Sequence, residues 1–411
     1  MRIIYISQHF PPEIGAAQGR AYDMAKNLKA LDHDVTVLTM FSNDQMTTNW
    51  YKRETIDGID VRRSFRVRDT KTSAKRRLAN YLSFMASSSV AGLFTKKPDV
   101  VYATSPQLFN GLAGYFLSKV YRAKFVFEVR DLWVDFAELL GQFSQPLLLK
   151  LARKLENFLY QKADLIITVT EGYKTRLMDQ GIPEQRIKVI TNGVDPDTFP
   201  SDDIETDVRK ELGIEDKLVI LFAGNMGAAQ GLDAVIDAAE RLQQEEQPVH
   251  FLFIGYGVEK EKLKAKAHER NLNNVQFFNS MKKHELSAYY KAADMCLVTL
   301  KKHPLFSITI PSKVFDCMAA NKPILIGVDG EARAIVESNH AGVYFEPENA
   351  IDLVEKITAI IKQKDTLLEM EQNIKDIVLQ KYNRQHLAKK LAKYLEETVD
   401  HVNTSKGNGS E

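Results

Sequence analysis

Two glycine-rich segments of the sequence have the composition of anion-binding turns. Each lies between an apolar, strand-like run and a helical pattern: Gly15 and Ala16 in the first half of the chain, Gly224 and Gly227 in the second. Small residues at a helix start let backbone N–H groups approach a phosphate. The first segment lacks the spacing of a dinucleotide-binding fingerprint, and the second lacks the lysine of a P-loop. Both segments predict anion contact, with a plain turn or flexible connection as the alternative.

Lys313 is a cation that could accompany such a turn. It follows Pro311 and Ser312 at the start of a predicted helix, with Ser312 as the expected N-cap. A lysine in the first turn opposes the helix dipole, so its position makes electrostatic sense if an anion binds there as well. Asp316, one turn further on, could accept hydrogen bonds from ribose hydroxyls. The alternative is an exposed lysine with no ligand.

A second charged cluster consists of Glu128, Arg130 and Asp131, beside Trp133. These residues lie at or near the carboxyl end of a strand-like run, which is where α/β sheets bind their ligands. The cluster predicts a crevice, with a structural ion pair as the alternative. The sequence shows no metal-ligand constellation, no GxSxG elbow and no Cys–His pairing. Without a metal or a covalent nucleophile, a reaction would depend on fixed dipoles and cations to stabilise charge.

Composition and charge are those of an ordinary globular protein. The 411 residues include 55 Lys and Arg against 54 Asp and Glu, a formal net charge of +1. This balance argues against a nucleic-acid binder that depends on a general positive field. Cys296 and Cys317 form no CxxC pattern, which favours a reducing cytosol. The first residues lack the features of a signal peptide, and no apolar run is long enough to span a bilayer.

The near-neutral total conceals a basic first half. Residues 1–200 carry 28 basic and 21 acidic side chains, and the run Val61–Arg77 accounts for the excess. This run continues into the apolar, Ser-rich segment Leu78–Phe94. The pairing predicts contact with an anionic membrane surface or its bound acceptor, with a core helix preceded by a loop as the alternative. The basic residues of the run are Arg62, Arg63, Arg66, Arg68, Lys71, Lys75, Arg76 and Arg77.

Alternating strand-like and helical patterns occupy both halves of the chain. Examples of the apolar runs are Ile3–Ser7 and Phe125–Val129 in the first half, and Leu218–Ala223 and Val249–Ile254 in the second. Such alternation is typical of parallel sheets covered on both faces. It predicts an α/β fold of two doubly wound, Rossmann-like domains whose strand ends face a shared cleft. The predicted divisions are a first domain over residues 1–196, a second over 197–382, a C-terminal helix over 383–402 that packs back on the first domain, and a disordered tail over 403–411.

In their order and spacing, several short motifs resemble the family-4 retaining glycosyltransferases of the GT-B fold. The resemblance covers nearly the whole chain. Within that family, the chain is more narrowly similar to the N-acetyl-L-fucosaminyl transferase branch of O-antigen and capsule biosynthesis. The motifs are Phe10-Pro-Pro-Glu-Ile-Gly-Ala-Ala, Glu128-Val-Arg-Asp-Leu-Trp133, Asn192-Gly-Val-Asp195, Ala223-Gly-Asn-Met-Gly, Gln230-Gly-Leu-Asp233, Ile254-Gly-Tyr-Gly257, Ile310-Pro-Ser-Lys and Met318-Ala-Ala-Asn-Lys-Pro323.

The chain departs from the family's pattern at several positions. Asn225 and Gln230 occupy the places where the family usually has an Arg and a Lys on the donor-phosphate loop. Ile308 occupies the place of the first of two glutamates, and the second is shortened to aspartate. Arg130 stands where many members have a histidine. We expect Lys313, together with Arg130, to replace the lost phosphate cations.

The resemblance implies a reaction and a set of substrates. The donor would be a nucleotide diphosphate sugar of UDP type, and no metal or other cofactor would be needed. The sugar, an N-acetylated amino or deoxy sugar, would pass with retention to a polyprenyl diphosphate-linked glycan. The implied catalytic residues are Arg130, Asp131 and Lys313. The implied donor-binding residues are Gly15, Ala16, Gly224, Asn225, Gln230, Gly255, Met281, Ser312, Lys313 and Asp316.

The resemblance also implies a location and leaves two other functions open. A hexosyltransferase of this type would work in the cytoplasm, peripherally bound to the inner face of the cell membrane. A sugar-nucleotide epimerase of the same fold is one alternative. A non-catalytic scaffold that binds nucleotide sugars is the other, and the missing Arg, Lys and Glu keep it open.

Overall fold

In the computed structural model, the chain forms two units. One comprises residues 1–191 together with the chain from residue 384 onward, and the other comprises residues 192–383. The predicted boundary at residue 196 lies outside the described residues. The structure describes residues 1–12, 16–42, 50–68, 74–141, 145–195, 199 and 207–407.

The first unit is built on an eight-stranded sheet. Its strands are β1 (Arg2–Ile6), β2 (Asp34–Met40), β3 (Tyr51–Ile56), β4 (Ile59–Ser64), β5 (Val100–Thr104), β6 (Lys124–Val129), β7 (Leu165–Thr168) and β8 (Ile187–Val189). Their order across the sheet is β3-β4-β2-β1-β5-β6-β7-β8. β3 is antiparallel to β4, and the other pairings are parallel. The strand order reverses between β1 and β5, which makes this pair the switch point of a Rossmann-like sheet.

Helices connect the strands of the first unit. They are α1 (Ala16–Ala30), α2 (Ala74–Leu93), α3 (Leu108–Tyr121), α4 (Trp133–Leu139), α5 (Pro146–Lys162) and α6 (Glu171–Asp179). α1 buries one side through Ala21, Met24 and Leu28, which belong to the same core cluster as Ile3 and Val35. The helical spacing of these residues lets one face of α1 cover the apolar strands beneath it.

The hairpin β3–β4 was not predicted from the sequence. Its first strand reads Tyr-Lys-Arg-Glu-Thr-Ile and is largely exposed, so it lacks the apolar alternation that marks a strand. β3 forms because it is an edge strand, where one set of backbone groups pairs with β4 while side chains stay in water. As a result, β4 lies inside the sheet, between β3 and β2.

The second unit is built on a six-stranded sheet in which the strand pairings are parallel. Its strands are β9 (Leu218–Asn225), β10 (Val249–Tyr256), β11 (Val275–Phe278), β12 (Met295–Thr299), β13 (Ile324–Gly327) and β14 (Gly342–Tyr344). The order β11-β10-β9-β12-β13-β14 is that of a Rossmann sheet, with the reversal between β9 and β12. β9 and β10 each extend two residues beyond their predicted ends, because Gly224 and Asn225 pair with Gly255 and Tyr256.

The helices of the second unit pack on the faces of this sheet. They are α7 (Val208–Leu212), α8 (Asp233–Gln244), α9 (Lys260–Glu269), α10 (Lys283–Ala292), α11 (Pro304–Ser307), α12 (Ser312–Ala319), α13 (Glu331–Ser338), α14 (Ala350–Lys362) and α15 (Asp365–Ile377), with a π-helical turn over Val378–Tyr382. The core contains Ile220, Phe222 and Phe253 from the strands, and Ile236 and Ile357 from α8 and α14. The prediction of two Rossmann-like α/β domains is confirmed.

The last helix, α16 (Arg384–Gly407), belongs to the first unit although it follows the second along the chain. Leu387, Leu391 and Leu395 are buried and join the core cluster of the first unit. The helix extends to Gly407, five residues beyond the predicted end at residue 402. No proline or glycine interrupts this segment before Gly407. Among the described residues, no helix combines the length and apolarity needed to cross a bilayer.

Candidate functional site

The loop after β9 and the start of α12 meet at the switch point of the second sheet. The Nζ atom of Lys313 lies 3.1 Å from Oε1 of Gln230. The backbone N–H of Lys301, just after β12, donates to the carbonyl of Ala229 at 2.9 Å. The crevice at the carboxyl ends of parallel strands, where the strand order reverses, is the usual ligand site of such sheets. The structure therefore brings Gln230 and Lys313 together, as a shared phosphate site requires.

Two glycines make room for the Lys313 side chain and for the strands below it. Gly224 has a φ of +136°, and a Cβ atom there would lie 2.7 Å from Cε of Lys313. Gly255, its partner on β10, has a φ of +144°, and its Cβ would lie 1.9 Å from the carbonyl oxygen of Gly224. L side chains rarely adopt these φ values. The methylene chain of Lys313 thus lies directly against the backbone of Gly224, which has no side chain.

Lys313 is a half-buried cation whose hydrogen-bond partner is neutral. Its Nζ lies 5.0 Å from the centre of the Phe222 ring. Burial lowers the pKa of Lys313, and the negative charge of Asp316 opposes this effect. Because Gln230 carries no charge, its bond orients the ammonium without neutralising it. Such a group can stabilise an anion that arrives in the crevice.

The other predicted donor-site residues of the second unit lie around the same crevice or at the neighbouring strand, whereas those of the first unit belong to a different sheet. Ser312 is the first residue of α12 and Pro311 is the N-cap, so the prediction that Ser312 caps the helix is wrong. Asn225 is exposed at the end of β9, and Met281 follows β11. Ala16 begins α1 in the first unit, and Gly15 lies outside the described residues.

Sequence reasoning missed Lys260, which braces the two strand ends beside this crevice. Its Nζ donates to the carbonyl oxygens of Gly255 at 3.0 Å and Phe278 at 2.7 Å, and to Oδ1 of Asn279 at 2.8 Å. Three acceptors use all three N–H groups of the ammonium. Lys260 therefore fixes the ends of β10 and β11 and has no donor left for a ligand. No local pattern in the sequence distinguishes it from its neighbours.

The charged cluster of the first unit divides between the core and the surface. Glu128 is fully buried, and its Oε1 accepts hydrogen bonds from Nε and Nη2 of Arg20 at 3.0 and 2.8 Å. The Thr104 hydroxyl donates to Oε2 at 2.6 Å. Burial alone would raise the pKa of Glu128, but the charges of Arg20 and Arg130 and the hydroxyl donor hold it below its ordinary value. Glu128 therefore belongs to a structural ion pair and does not line a crevice.

Arg130 and Asp131 lie beyond this pair, after the end of β6. The backbone N–H of Arg130 donates to Oγ of Ser105 at 2.7 Å, which joins the ends of β5 and β6. Burial lowers the pKa of Arg130, and the charge of Glu128 opposes the change. Arg130 is half-buried and Asp131 is exposed. Both residues are thus at the edge of the sheet where a ligand can reach them.

Two family comparisons together extend over most of the chain. Residues 17–198 match the sequence model of Glycosyltransferase Family 4. Residues 203–377 match that of Glycosyl transferases group 1. The chain therefore carries a Glycosyltransferase Family 4 domain followed by a Glycosyl transferases group 1 domain. The prediction of a GT-B glycosyltransferase is confirmed at this level.

Relatives and solved structures agree with this assignment. WcaI of Escherichia coli (strain K12), named as a colanic acid biosynthesis glycosyl transferase, is 28% identical to this glycosyltransferase over 382 residues, covering 88% of this chain and 92% of WcaI. The crystal structure of Anabaena Alr3699/HepE in complex with UDP-glucose superposes with a TM-score of 0.73 at 19% identity, covering 97% and 100% of the two chains. Sucrose-phosphate synthase from Thermosynechococcus elongatus gives a TM-score of 0.77 at 16% identity, covering 96% and 98%. The two superpositions show the shared fold.

Arg20 is a residue of this glycosyltransferase that sequence reasoning missed. It is 1% exposed, and it also donates to the carbonyl oxygens of Thr191 at 2.7 Å and Ile190 at 3.1 Å. The helical spacing of the sequence nevertheless indicates that Arg20 is buried. Arg20 stands one helical turn before Met24 and two before Leu28, in line with the apolar face of α1. A cation on that face requires a buried acid, and Glu128 interrupts an otherwise apolar strand.

Three arginines assigned to membrane or acceptor contact are buried in this glycosyltransferase, so that part of the prediction is wrong. Arg62, Arg63 and Arg66 are 6%, 0% and 3% exposed. Arg62 pairs with Asp60 and Arg63 with Glu54, whereas Arg66 donates to a backbone carbonyl. Both acids, Glu54 on β3 and Asp60 on β4, precede residue 61, so the basic run 61–77 does not contain them. Arg68, Lys75, Arg76 and Arg77 are exposed, and Lys71 lies outside the described residues.

The structure provides no candidate metal centre within the part of the chain that it describes. No group of three or more His, Cys, Asp or Glu side chains among those residues is arranged to hold an ion. Cys296 and Cys317 are both buried free thiols.

Replacing Gly224 with alanine is expected to loosen the crevice more than the same change at a glycine of ordinary left-handed conformation. The new Cβ would overlap the side chain of Lys313, and the alanine would have to adopt a φ of +136°. This backbone conformation costs about 1–3 kcal/mol in local strain. Gly213→Ala is the matched control, because Gly213 has a φ of +66° and nothing within 4 Å of its Cβ position. Hydrogen exchange of peptides from β9 and β10 should rise in the first variant only. Equal exchange in both variants would contradict the prediction.

Proposed function

We propose that this glycosyltransferase transfers a sugar from a UDP-type nucleotide donor to a lipid-linked glycan during synthesis of a bacterial surface polysaccharide. The observation that carries the proposal is the Lys313 ammonium, which Gln230 holds over the bare backbone of Gly224 at a sheet switch point. Two relatives support the choice of substrates. WcaI is named for colanic acid biosynthesis, and HepE was solved with UDP-glucose.

Lys313 supplies the positive charge that the reaction needs at the leaving group. When the bond between the anomeric carbon and the donor phosphate breaks, negative charge develops on the diphosphate. A fixed ammonium stabilises that charge without reorganisation. Asn225 and Gln230, at the positions where the family usually has cations, contribute amide groups only, so among these positions of the second unit Lys313 carries the role. The proposal includes no metal or other cofactor.

The nucleoside is proposed to bind along α12 and beside β11. Asp316 is half-buried, one turn after Lys313 on the same helix, and its carboxylate would accept hydrogen bonds from ribose hydroxyls. Ser312 begins that helix, and its backbone N–H lies at the N-terminal end, which favours anions. The backbone near Met281 would lie beside the base.

The acceptor is proposed to bind the first unit at Arg130 and Asp131. The acceptor hydroxyl attacks the anomeric carbon from the face that the diphosphate leaves, so the configuration is retained. Its proton passes to an oxygen of the departing phosphate, and the new glycosidic bond replaces the broken one. Arg130 and Asp131 would position the acceptor for this step. The enzyme would work at the inner face of the cell membrane, where a polyprenyl diphosphate-linked acceptor is held.

A donor screen followed by a transfer assay tests the function. UDP-, GDP- and dTDP-linked sugars are compared by thermal shift, and a UDP-linked amino or deoxy sugar is expected to raise the melting temperature most. With a polyprenyl diphosphate-linked acceptor, the same donor should yield a glycan whose anomeric configuration, measured by NMR, matches the donor.

Other outcomes of this assay would overturn the proposal. Rearrangement of the donor without an acceptor would indicate an epimerase. Tight donor binding with neither hydrolysis nor transfer, across the acceptor panel, would indicate a scaffold. An inverted product would contradict the front-face step.

A further inference from the structure

The buried side of α9 carries a cation. It consists of Lys260, Leu263 and Ala267, whose spacing of three and four positions places them on one face of the helix. Leu263 and Ala267 belong to the core of the second unit, and Lys260 is only 9% exposed. A buried ammonium costs free energy unless its hydrogen bonds are satisfied, whereas an apolar side chain could pack there without that cost. The presence of Lys260 therefore requires a reason other than packing.

The Lys260 ammonium lies where the backbone pairing of β10 with β11 ends. The register of the two strands ends at Ile254 opposite Phe278, and Gly255 is the first residue of β10 beyond it. Nζ of Lys260 donates to the carbonyl oxygens of Gly255 at 3.0 Å and of Phe278 at 2.7 Å. The side chain thus continues the connection between the two strands beyond the last backbone pair.

The chain that leaves β11 depends on this connection more than β10 does. β11 stands at the edge of the six-stranded sheet with β10 as its neighbour, whereas Gly255 of β10 also pairs with Gly224 of β9. Asn279, the first residue after β11, accepts the third hydrogen bond of Lys260 through Oδ1 at 2.8 Å. Asn279 and Ser280 are exposed, so packing contributes little to fixing them. Lys260 therefore determines the course of the segment that follows β11.

We propose that Lys260 is a positioning residue for the nucleobase of the donor, an inference that rests on the proposed function. Met281, whose backbone is the proposed neighbour of the base, follows Asn279 by two positions. By joining Phe278 and Asn279 to Gly255, Lys260 sets the separation between the segments that leave β10 and β11. Its three N–H groups are used by these acceptors. It therefore acts through the two segments and does not itself bind the donor.

The surface beside these strand ends suits a flat ring. Tyr256, the last residue of β10, and Val258 are 62% and 83% exposed. Ligand sites of α/β proteins lie at the carboxyl ends of parallel strands and combine apolar side chains with a few polar groups. A nucleobase has apolar faces and a polar edge that backbone N–H and C=O groups can bond. A separation fixed by hydrogen bonds can distinguish a one-ring base from a two-ring base.

A purely structural role for Lys260 predicts a different result from a positioning role. If Lys260 only stabilised the sheet, its loss would lower the fraction of competent protein and weaken all ligands of the second unit by one factor. In the positioning role the effects are unequal. The diphosphate is proposed to bind at Lys313 on α12 and the base beside β11, so loss of Lys260 should weaken base recognition more than diphosphate binding.

Nucleotide preference of the full-length chain tests the inference. Dissociation constants for UDP, GDP and inorganic diphosphate are measured by titration calorimetry for the wild type, Lys260→Met and Lys260→Arg. The wild type is expected to bind UDP most tightly. Lys260→Met should weaken UDP binding by at least about tenfold and change the affinity for inorganic diphosphate much less. Lys260→Arg keeps a cation with several donors and should recover part of the preference for UDP.

Two further variants keep the test decisive if Lys260→Met is unstable. Asn279→Ala removes one acceptor at an exposed position and should lower the preference for UDP in the same direction. Lys264→Met makes the same change at an exposed position of α9 and should bind all three ligands as the wild type does.

The outcomes separate this inference from the proposed function. Equal weakening of UDP and inorganic diphosphate in Lys260→Met would overturn the inference, in favour of a structural brace. An unchanged preference for UDP in both Lys260→Met and Asn279→Ala would also overturn it. Wild-type protein that bound none of the three ligands would contradict the proposed function itself, and the inference with it.

Discussion

Replacing Lys313 with alanine is expected to lower kcat by at least about a hundredfold while leaving the fold intact, since removal of one preorganised charge-stabilising donor typically costs this much. Lys313 is the cation that Gln230 orients in the crevice of the second sheet. Its methylene groups lie over a glycine, so their loss removes little packing. Turnover is measured with the donor identified by the thermal-shift screen, and the fold is checked by circular dichroism.

Two control variants distinguish the effect of the positive charge at Lys313 from the effect of a change in the net charge of the protein. Lys264→Ala removes an exposed lysine from α9 of the same unit and should leave kcat unchanged. Lys313→Arg keeps the charge and should retain more activity than the alanine variant. If Lys313→Ala turned over like wild type, the phosphate assignment would be wrong.

The lowered pKa of Lys313 gives this prediction a second, pH-dependent readout. Because burial lowers the pKa, the ammonium of the donor-free protein deprotonates at lower pH than an ordinary lysine. Donor affinity should therefore fall as pH rises through that pKa. Over the same interval the unfolded chain binds more protons than the native one, so the Lys313 contribution to stability rises with pH. Lys313→Arg should abolish both trends, and a profile identical to wild type would contradict the assignment.

Replacing Arg20 with methionine is expected to destabilise the first unit by about 3–5 kcal/mol, because it leaves the carboxylate of Glu128 buried without its charge partner. Arg20 and Glu128 are 1% and 0% exposed and lie 2.8 Å apart. Arg20 also binds the carbonyl oxygens of Ile190 and Thr191. Both tryptophans, Trp50 and Trp133, belong to the first unit. Tryptophan fluorescence during urea denaturation therefore reports on this unit.

A double substitution distinguishes the buried charge from lost packing. Arg20→Met combined with Glu128→Leu should recover part of the lost stability, because no unpaired charge remains. Lys174→Met, which breaks the exposed pair with Glu184, should shift the transition much less. A shift for Arg20→Met as small as that for Lys174→Met would rule out the structural role.

Local pattern accounts for the parts of this protein that could be predicted from its sequence. Apolar runs such as Phe125–Val129 identify buried parallel strands because side chains of both faces must be apolar. The helix that starts beside Pro311 was predicted because a proline fits the N-terminal end of a helix. The same proline places Lys313 in the first turn of that helix, because Lys313 follows it by two positions. The order of short motifs indicated the glycosyltransferase families.

The buried ion pairs could not be predicted from the sequence, because their two members come from different segments of the chain. Arg62 and Arg63 were expected at a membrane surface, yet the hairpin β3–β4 supplies their acids and places them inside a sheet. Arg20 and Glu128 are separated by 108 positions, so no local window contains both members of the pair. Each of these charges is tolerated in the interior because a partner arrives from another element.

The sequence by itself determined the alternation of strands and helices, the families, and the lysine at the start of α12. Tertiary structure decided which charges are buried, that Gln230 orients Lys313, and that Lys260 holds the ends of β10 and β11. The physical reason is that periodicity records which residues can share a face, whereas burial of that face depends on the element that packs against it.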